Sequence, residues 1–555
     1  MKNPGGTMSG KIKPESQVKE AETTTADPTS LFKQNELVVH SQHGIAKYLR
    51  VEYMSMQDEA PKPFMVLQFA DGVLKESFTQ QSMVTKYFAS GVGYAAEEPK
   101  LDHLSRPEVW TKRKAKAKRT LKKLAHDVIK LQAVRKQNKR EPYKMPGHKT
   151  DFDDLFPHEP TADQLKAFRD IEQDLCSRDI PMDRLVCGDV GFGKTEVAMR
   201  ALFLCVSQQR QAILLAPTTV LAIQHFRTVQ SRFKSFGLRP ALLNRFVPAK
   251  TRRELLQQVA DGEVDILVGT HAVLSSKISF RSLGLVVIDE EQRFGVNQKE
   301  KLKTLSVGID VLTLSATPIP RTLHMAMSGL RDMTVMRTPP RSKKEVETHV
   351  AKFSERLLLK ALQLELDRAG QTFCVVPRIA DIDQVVATLY RLAPAARVLV
   401  AHGELKDLEE RLIKFSEGGA DVLVCTPIIE SGLDIHTANT IFVFNSHYFG
   451  LSSLYQLRGR VGRGSTQAHA YFTFPPDSEL SSESQQRLAA ITRYTSLGSG
   501  YELAQRDLEI RGAGSLLGAE QSGEANEVGV ELYMQMLKEI VAEIEEKAII
   551  EQTKR

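Results

Sequence analysis

"LVCGDVGFGKTEVAMR", residues 185–200, decides the fold. Gly188, Gly193, Lys194 and Thr195 satisfy the spacing G-x-x-x-x-G-K-[ST], with an apolar run entering and a helix-forming run leaving. That is the strand–loop–helix setting in which a glycine-rich loop wraps phosphate oxygens with backbone N–H groups. Gly188, Asp189, Val190, Gly191, Phe192 and Gly193 form the cradle. Lys194 brings the point charge for β- and γ-phosphates, and Thr195 a hydroxyl for Mg²⁺. A single match of this kind is weak evidence, so its weight comes from what surrounds it.

Downstream, "LGLVVIDEEQRFG" (283–295) delivers two carboxylates to the end of a buried strand. Asp289 is placed to hold Mg²⁺ and Glu290 to orient and deprotonate an attacking water. "LTLSATPIPRT" (312–322) is another strand ending in hydroxyls, Ser315 and Thr317, which can sense the γ-phosphate; a plain Ser/Thr turn has the same appearance. Upstream, "FPHEPTADQ" (156–164) offers Gln164, whose amide suits both edges of adenine. A second half begins near Glu345. It contains "DVLVCTPIIESGLDIHTANTIFVF" (421–444) and "YQLRGRVGRG" (455–464), whose Arg460 and Arg463 are read as fingers reaching transition-state charge from another lobe.

These blocks, in this order, resemble superfamily 2 helicases and translocases over residues 156–475. The resemblance implies an α/β chain with two RecA-like domains, ATP and Mg²⁺ between them, and nucleic acid on the opposite face. The nucleic-acid loops are then "APTTVLAIQH" (216–225), "GTHAVL" (269–274) and the Ser431–Asp434 turn, with Thr218, Thr219 and His271 as candidate phosphate contacts. Ser315, Thr317, Gln456 and Arg511 are the residues expected to couple hydrolysis to movement.

The chain's two ends refine the resemblance. "YELAQRDLEIRGAGSLLGAEQSG" (501–523) carries four glycines in twelve residues from 512 to 523. It is similar to the TRG element, a helical hairpin shared by the RecG branch-migration family and the transcription-repair coupling factor (Mfd) family. There it is associated with pushing duplex DNA rather than separating strands. "LFKQNELVVHSQHGIAKYLRVEYM" (31–54) and "FMVLQFADGVLKESF" (64–78) show short β-branched runs between turn residues and predict a small, bent β-barrel. They resemble the CarD-like RNA-polymerase-interaction domain of the Mfd family. His40 and His43 lack a third ligand and are read as structural. Between the two ends, "KRKAKAKRTLKK" (112–123) places eight Lys or Arg in twelve positions. Leu121, Leu124, Val128 and Leu131 continue it as one long helix. Alone this is a solvated face; ahead of a motor it equally suits a phosphate backbone.

The expected organisation is a disordered tail (1–30), a CarD-like domain (31–100), a basic linker helix (101–150), RecA-like domains at 151–343 and 344–485, and the TRG hairpin with a C-terminal helix (486–555). Residues 371–379, "QTFCVVPRI", lean towards the RecG style. The UvrB-like region and C-terminal domain of the Mfd family have no counterpart here, so UvrA recruitment is doubtful and an unrestrained motor is expected. The expected function is an ATP-dependent duplex-DNA translocase engaging RNA polymerase through residues 31–100, by an exposed edge strand at Phe64–Phe69; the alternative is RecG-like remodelling of branched DNA. A non-catalytic binding module is disfavoured by the intact Lys194, Asp289, Glu290, Arg460 and Arg463.

Composition agrees with this class and excludes others. At 42% hydrophobic and 26% charged the chain is ordinary globular protein, and its net charge of +7 is too small to name a partner. No apolar run reaches the roughly 18 residues needed for a membrane helix. The acidic residues within the polar N-terminal stretch argue against a transit peptide. Cys176, Cys187, Cys205, Cys374 and Cys425 have no metal-ligand spacing and fit reduced thiols in a cytoplasm.

Overall fold

The structure, a computed structural model, describes residues 32–55, 61–87, 100–275, 278–305, 307–316, 331–340, 343–430, 435–462, 464, 466–477, 479–496, 498–500 and scattered positions from 502 to 544. These fall into two compact units. The first runs to Lys86 and takes in Lys100–Pro107, and the second holds most of the remainder.

In the first unit, β1 (Leu37–His40), β2 (Gly44–Met54), β3 (Lys62–Gln68), β4 (Val73–Ser77) and β5 (Val84–Lys86) pair antiparallel in the order β4-β3-β2-β1-β5. Alternation along the strands buries Val38, Ala46, Tyr48, Met65 and Leu67 on one face with Phe32 and Phe69. The β1–β2 turn depends on Gly44. Its φ of +94° suits glycine, and a Cβ there would stand 2.2 Å from Asp102 Oδ2. That same oxygen accepts the Ile45 N–H at 2.8 Å. Two expectations are corrected here. Among the described residues no β4–β5 pairing closes a barrel, so the sheet is open. The Phe64–Phe69 strand is also not an edge: β3 lies between β2 and β4, and the edges are β4 and β5. His40 is buried and structural, its Nδ1 accepting the Gln42 and His43 N–H groups and its Nε2 meeting Glu76 at 3.2 Å.

The second unit opens with α1 (Pro107–Gln137). Among the described residues its buried face holds Trp110, Ala117, Leu121 and Ala125, so the expected Leu121 is joined by residues earlier along the helix. A single tryptophan and two alanines bring a basic helix close to its neighbour, while Lys112, Lys116, Lys118, Lys122 and Lys123 stay exposed. Leu124, Val128 and Leu131 have side chains outside the described set.

Two parallel sheets follow. The first contains β6 (Asp183–Gly188), β7 (Gln211–Leu215), β8 (Pro240–Leu243), β9 (Ile266–Gly269), β10 (Leu283–Asp289), β11 (Asp310–Ser315) and β12 (Asp332–Met336), in the order β12-β6-β11-β10-β7-β9-β8. The second contains β13 (Glu347–Lys352), β14 (Gln371–Val375), β15 (Val398–Ala401), β16 (Val422–Cys425), β17 (Ala438–Val443) and β18 (His469–Phe474), in the order β13-β18-β17-β14-β16-β15. Runs such as Leu285–Ile288 are apolar throughout because helices cover both faces of such sheets. A stack of Phe152 on Phe203, with ring centroids 4.2 Å apart, anchors the first lobe's helical layer. Each such ring contributes about 1.5–3 kcal/mol by leaving water.

All five cysteines are free, and burial pushes the Cys187, Cys205 and Cys374 thiols up to about 12. No described helix is long and apolar enough to cross a membrane.

Candidate active site

The strand order sets the chemistry. β11 lies between β6 and β10, so the carboxyl ends of these three strands present the glycine loop, Ser315 and Asp289 side by side. Ligands of open parallel sheets bind at this end. The chain leaves β6 through Asp189–Gly193 and enters α4 (Lys194–Val206), with Gly191 and Gly193 at φ +79° and +81°. A side chain at 193 would collide with Gln164, whose Nε2 stands 2.3 Å from the Cβ position. These glycines are what let backbone N–H groups face an anion at the start of a helix.

Lys194 Nζ donates to the carbonyls of Gly188 (2.5 Å) and Asp189 (2.9 Å), folded onto the loop it serves. Desolvation lowers its pKa, opposed by the carboxylates of Glu290, Asp289 and Asp189. Glu290 is raised by burial and by Asp289 beside it, while Lys194 and Arg460 pull it back. Arg460 is thus close enough to act electrostatically on both groups although it belongs to the other lobe. Glu290 Oε1 accepts the Ala316 N–H at 3.2 Å, and Gln292 donates to its other oxygen. Thr195 and Asp289 supply hard oxygen donors, the set that suits Mg²⁺.

Other expected residues are placed less simply. Gln164 caps its own helix: Oε1 accepts the Thr161 N–H at 2.9 Å, and Nε2 donates to the Phe192 carbonyl at 2.8 Å. One lone pair and one N–H of the amide remain for adenine. Asp189 contributes its backbone to the loop, but its carboxylate turns to the second lobe, taking the Tyr455 hydroxyl and the Gly498 N–H. Thr218 caps α5 (Thr219–Phe233), its hydroxyl accepting the Leu221 N–H at 3.3 Å. Thr219 is buried, which removes its side chain from the phosphate-contact set in this arrangement, whereas His271 is exposed just beyond β9. Thr317, Arg463, the Ser431–Asp434 turn and the glycine-bent hairpin with Arg511 lie outside the described residues.

Four residues emerge only in three dimensions. His225, inside "APTTVLAIQH", places Nε2 2.8 Å from Asp289 Oδ2. Arg293, three residues after Glu290, donates to Gln456 (2.6 Å) and Glu430 (3.0 Å) of the second lobe. Lys343, between the two sheets, donates to the Val190 carbonyl and sits 5.1 Å from the Phe192 ring. Tyr455 grips Asp189. The adjacency of "DEEQR" hinted at Arg293; nothing in the sequence pairs the others.

Residues 161–326 match the DEAD/DEAH box helicase family and residues 354–465 the helicase conserved C-terminal domain. The chain carries a superfamily 2 helicase motor. Residues 32–87, ahead of the motor, match the CarD-like/TRCF RID domain. Over 94% of its length the chain is 42% identical to an Arabidopsis thaliana ATP-dependent DNA helicase described as chloroplastic, covering 64% of that protein. It is 44% identical to the transcription-repair-coupling factor of Bacillus subtilis over 92% of this chain and 43% of that one. The Borreliella burgdorferi transcription-repair-coupling factor is 40% identical over 94% and 46% respectively. The chain therefore spans between 43% and 64% of the length of these relatives. In architecture it is similar to RecG bound to a three-way DNA junction, with a TM-score of 0.66, 24% identity, and coverage of 92% of this chain and 78% of that one.

Proposed function

We propose that this motor hydrolyses ATP to move along duplex DNA and, through its N-terminal sheet, engages RNA polymerase so as to push or release stalled transcription complexes. The observation that carries the reading is one cleft in which Lys194 and Glu290, beside Asp289 on one lobe, lie within electrostatic reach of Arg460 on the other, in a chain that also holds a CarD-like/TRCF RID domain.

The loop's N–H groups and Lys194 bind the phosphates, and Glu290 takes the proton of the attacking water. Arg460 meets the charge that develops between the phosphoryl oxygens, so hydrolysis requires the lobes to be together. Thr195 and Asp289 would hold Mg²⁺, which neutralises β- and γ-phosphate charge when bound. Arg293 on Gln456 joins the turn after Glu290 to the second lobe, where a change at the phosphates is felt. On the opposite face, Thr218, His271 and the N-terminus of α5 are proposed to contact the DNA backbone.

For the polymerase, β4 is the available edge. Val73 is 52% exposed at its start, and edge strands offer unpaired N–H and C=O groups to a partner sheet. UvrA recruitment is not part of the proposal, and the proposed compartment is the cytoplasm.

The test separates motor from tether. Deleting residues 31–100 should spare ATP-driven displacement of a triplex-forming strand but abolish release of a stalled elongation complex. Release by the truncated protein would favour remodelling of branched DNA without a polymerase contact.

A further inference from the structure

Three elements meet at one carboxylate. Asp189, buried in the phosphate loop, accepts the Tyr455 hydroxyl from the second-lobe helix Leu451–Arg458, and the Gly498 N–H at 2.9 Å. The segment carrying Gly498 is shaped for this approach. A Cβ at Gly500 would lie 2.0 Å from Asp189 Oδ1, and one at Gly498 (φ +93°) would lie 2.4 Å from the Arg337 carbonyl oxygen just past β12. Tyr455 is itself held, with the Arg458 guanidinium 4.7 Å from its ring centroid. Arg458 Nη1 donates to the Ile491 carbonyl at 3.2 Å, in the helix Ser482–Arg493 that leads back to Gly498. The contacts close a ring from the phosphate loop through the second lobe to the exit segment and back. A carboxylate is a poor phosphate ligand because like charges repel. Its value in this loop therefore lies in what it holds on its other side.

We infer that Asp189 ties the nucleotide loop to the second lobe and to the exit segment at Gly498–Gly500, so that phosphate occupancy is transmitted to the C-terminal part of the chain. The inference rests on the reading that the cleft drives movement. A tie can transmit only if its free energy differs between loop-filled and loop-empty states. Backbone N–H groups closing on phosphate would shift the residue between Gly188 and Val190, which would meet that condition.

The test uses the whole chain with Tyr455→Phe, which removes one oxygen and keeps the ring, and with Gly500→Ala, which wedges the turn off Asp189. In each, duplex displacement per ATP hydrolysed should fall about fivefold or more, while KM for ATP stays close to that of the unaltered protein. A second readout needs no DNA. Dyes on cysteines at 253 and 493, in a Cys176→Ser background, should report a nucleotide-analogue-induced distance change that both variants lose. Unchanged coupling and an unchanged distance response in both variants would overturn the tie. If the unaltered protein displaces no triplex strand, the duplex reading fails by itself, and the DNA-free distance response decides the tie alone.

Discussion

Glu290 stands at φ +52°, a left-handed conformation that costs a non-glycine residue about 1–2 kcal/mol. The backbone is held there by its N–H on the Leu314 carbonyl (3.0 Å), and the side chain by the Ala316 N–H (3.2 Å), so the strain positions one carboxylate. Glu290→Gln keeps the shape and removes the proposed base. Turnover should drop by about 10²–10⁴ with nucleotide still bound, read from single-turnover hydrolysis beside equilibrium nucleotide titration. Arg460→Ala should cost about 10³ in kcat with little change in ATP affinity, because a finger acts on charge that exists only in the transition state. A parallel loss of affinity would make Arg460 a ground-state ligand. His225 serves Asp289 at one remove. His225→Ala leaves Asp289 Oδ2 without its 2.8 Å partner, and the Mg²⁺ concentration for half-maximal ATPase should rise about tenfold. Restoration by His225→Asn would show that orientation matters, not imidazole chemistry.

At the scale of elements, α1 offers a separable test. Lys112, Lys118, Lys122 and Lys123 are exposed, outside the buried stripe of Trp110 and Leu121. If that face meets a phosphate backbone, changing all four to Gln should flatten the dependence of log Kd on log salt by up to about 3–4 in slope. An unchanged slope assigns these lysines to solvent. This helix also shows what the sequence made legible. Its existence, its charge and the burial of Leu121 were readable, whereas the buried Trp110, Ala117 and Ala125 that share its face were not picked out, because a lone tryptophan and alanines carry little pattern of their own. The parallel strands were readable for the opposite reason: runs such as "LVVID" have no polar side, and only a two-sided burial accepts them. The N-terminal sheet was readable as strands but not as an open sheet, since closure depends on whether β4 and β5 meet. No periodicity encodes that. Within the site, the motif residues were legible because phosphate chemistry fixes their spacing. His225, Lys343 and Tyr455 were not, because their partners lie 64, 153 and 266 positions away.

At the scale of the whole motor, two of the arginines that bridge the lobes form ion pairs of similar length but unequal consequence. Arg245 Nε meets Glu409 at 2.9 Å, with the arginine side chain 59% exposed. Arg293 meets Glu430 at 3.0 Å with 30% and 10% exposure, and the same nitrogen also donates to Gln456. Solvent-exposed pairs contribute about 0–1 kcal/mol, because water screens them and side-chain entropy opposes them. The Arg293 group is less screened, joins two acceptors, and begins three residues from Glu290. Losing it removes the donor that Glu430 and Gln456 share and, with it, a direct route from the turn after Glu290 to the second lobe. Arg245→Ala should therefore leave DNA-stimulated ATPase within about twofold, and high salt should already mimic it. Arg293→Ala should lower kcat by about tenfold or more at unchanged ATP affinity, and salt should not reproduce the loss. Steady-state ATPase of both variants across a salt series distinguishes the cases. Equal, salt-sensitive effects would mean that the lobes are held by surface charge alone, and the route through Arg293 would have to be abandoned.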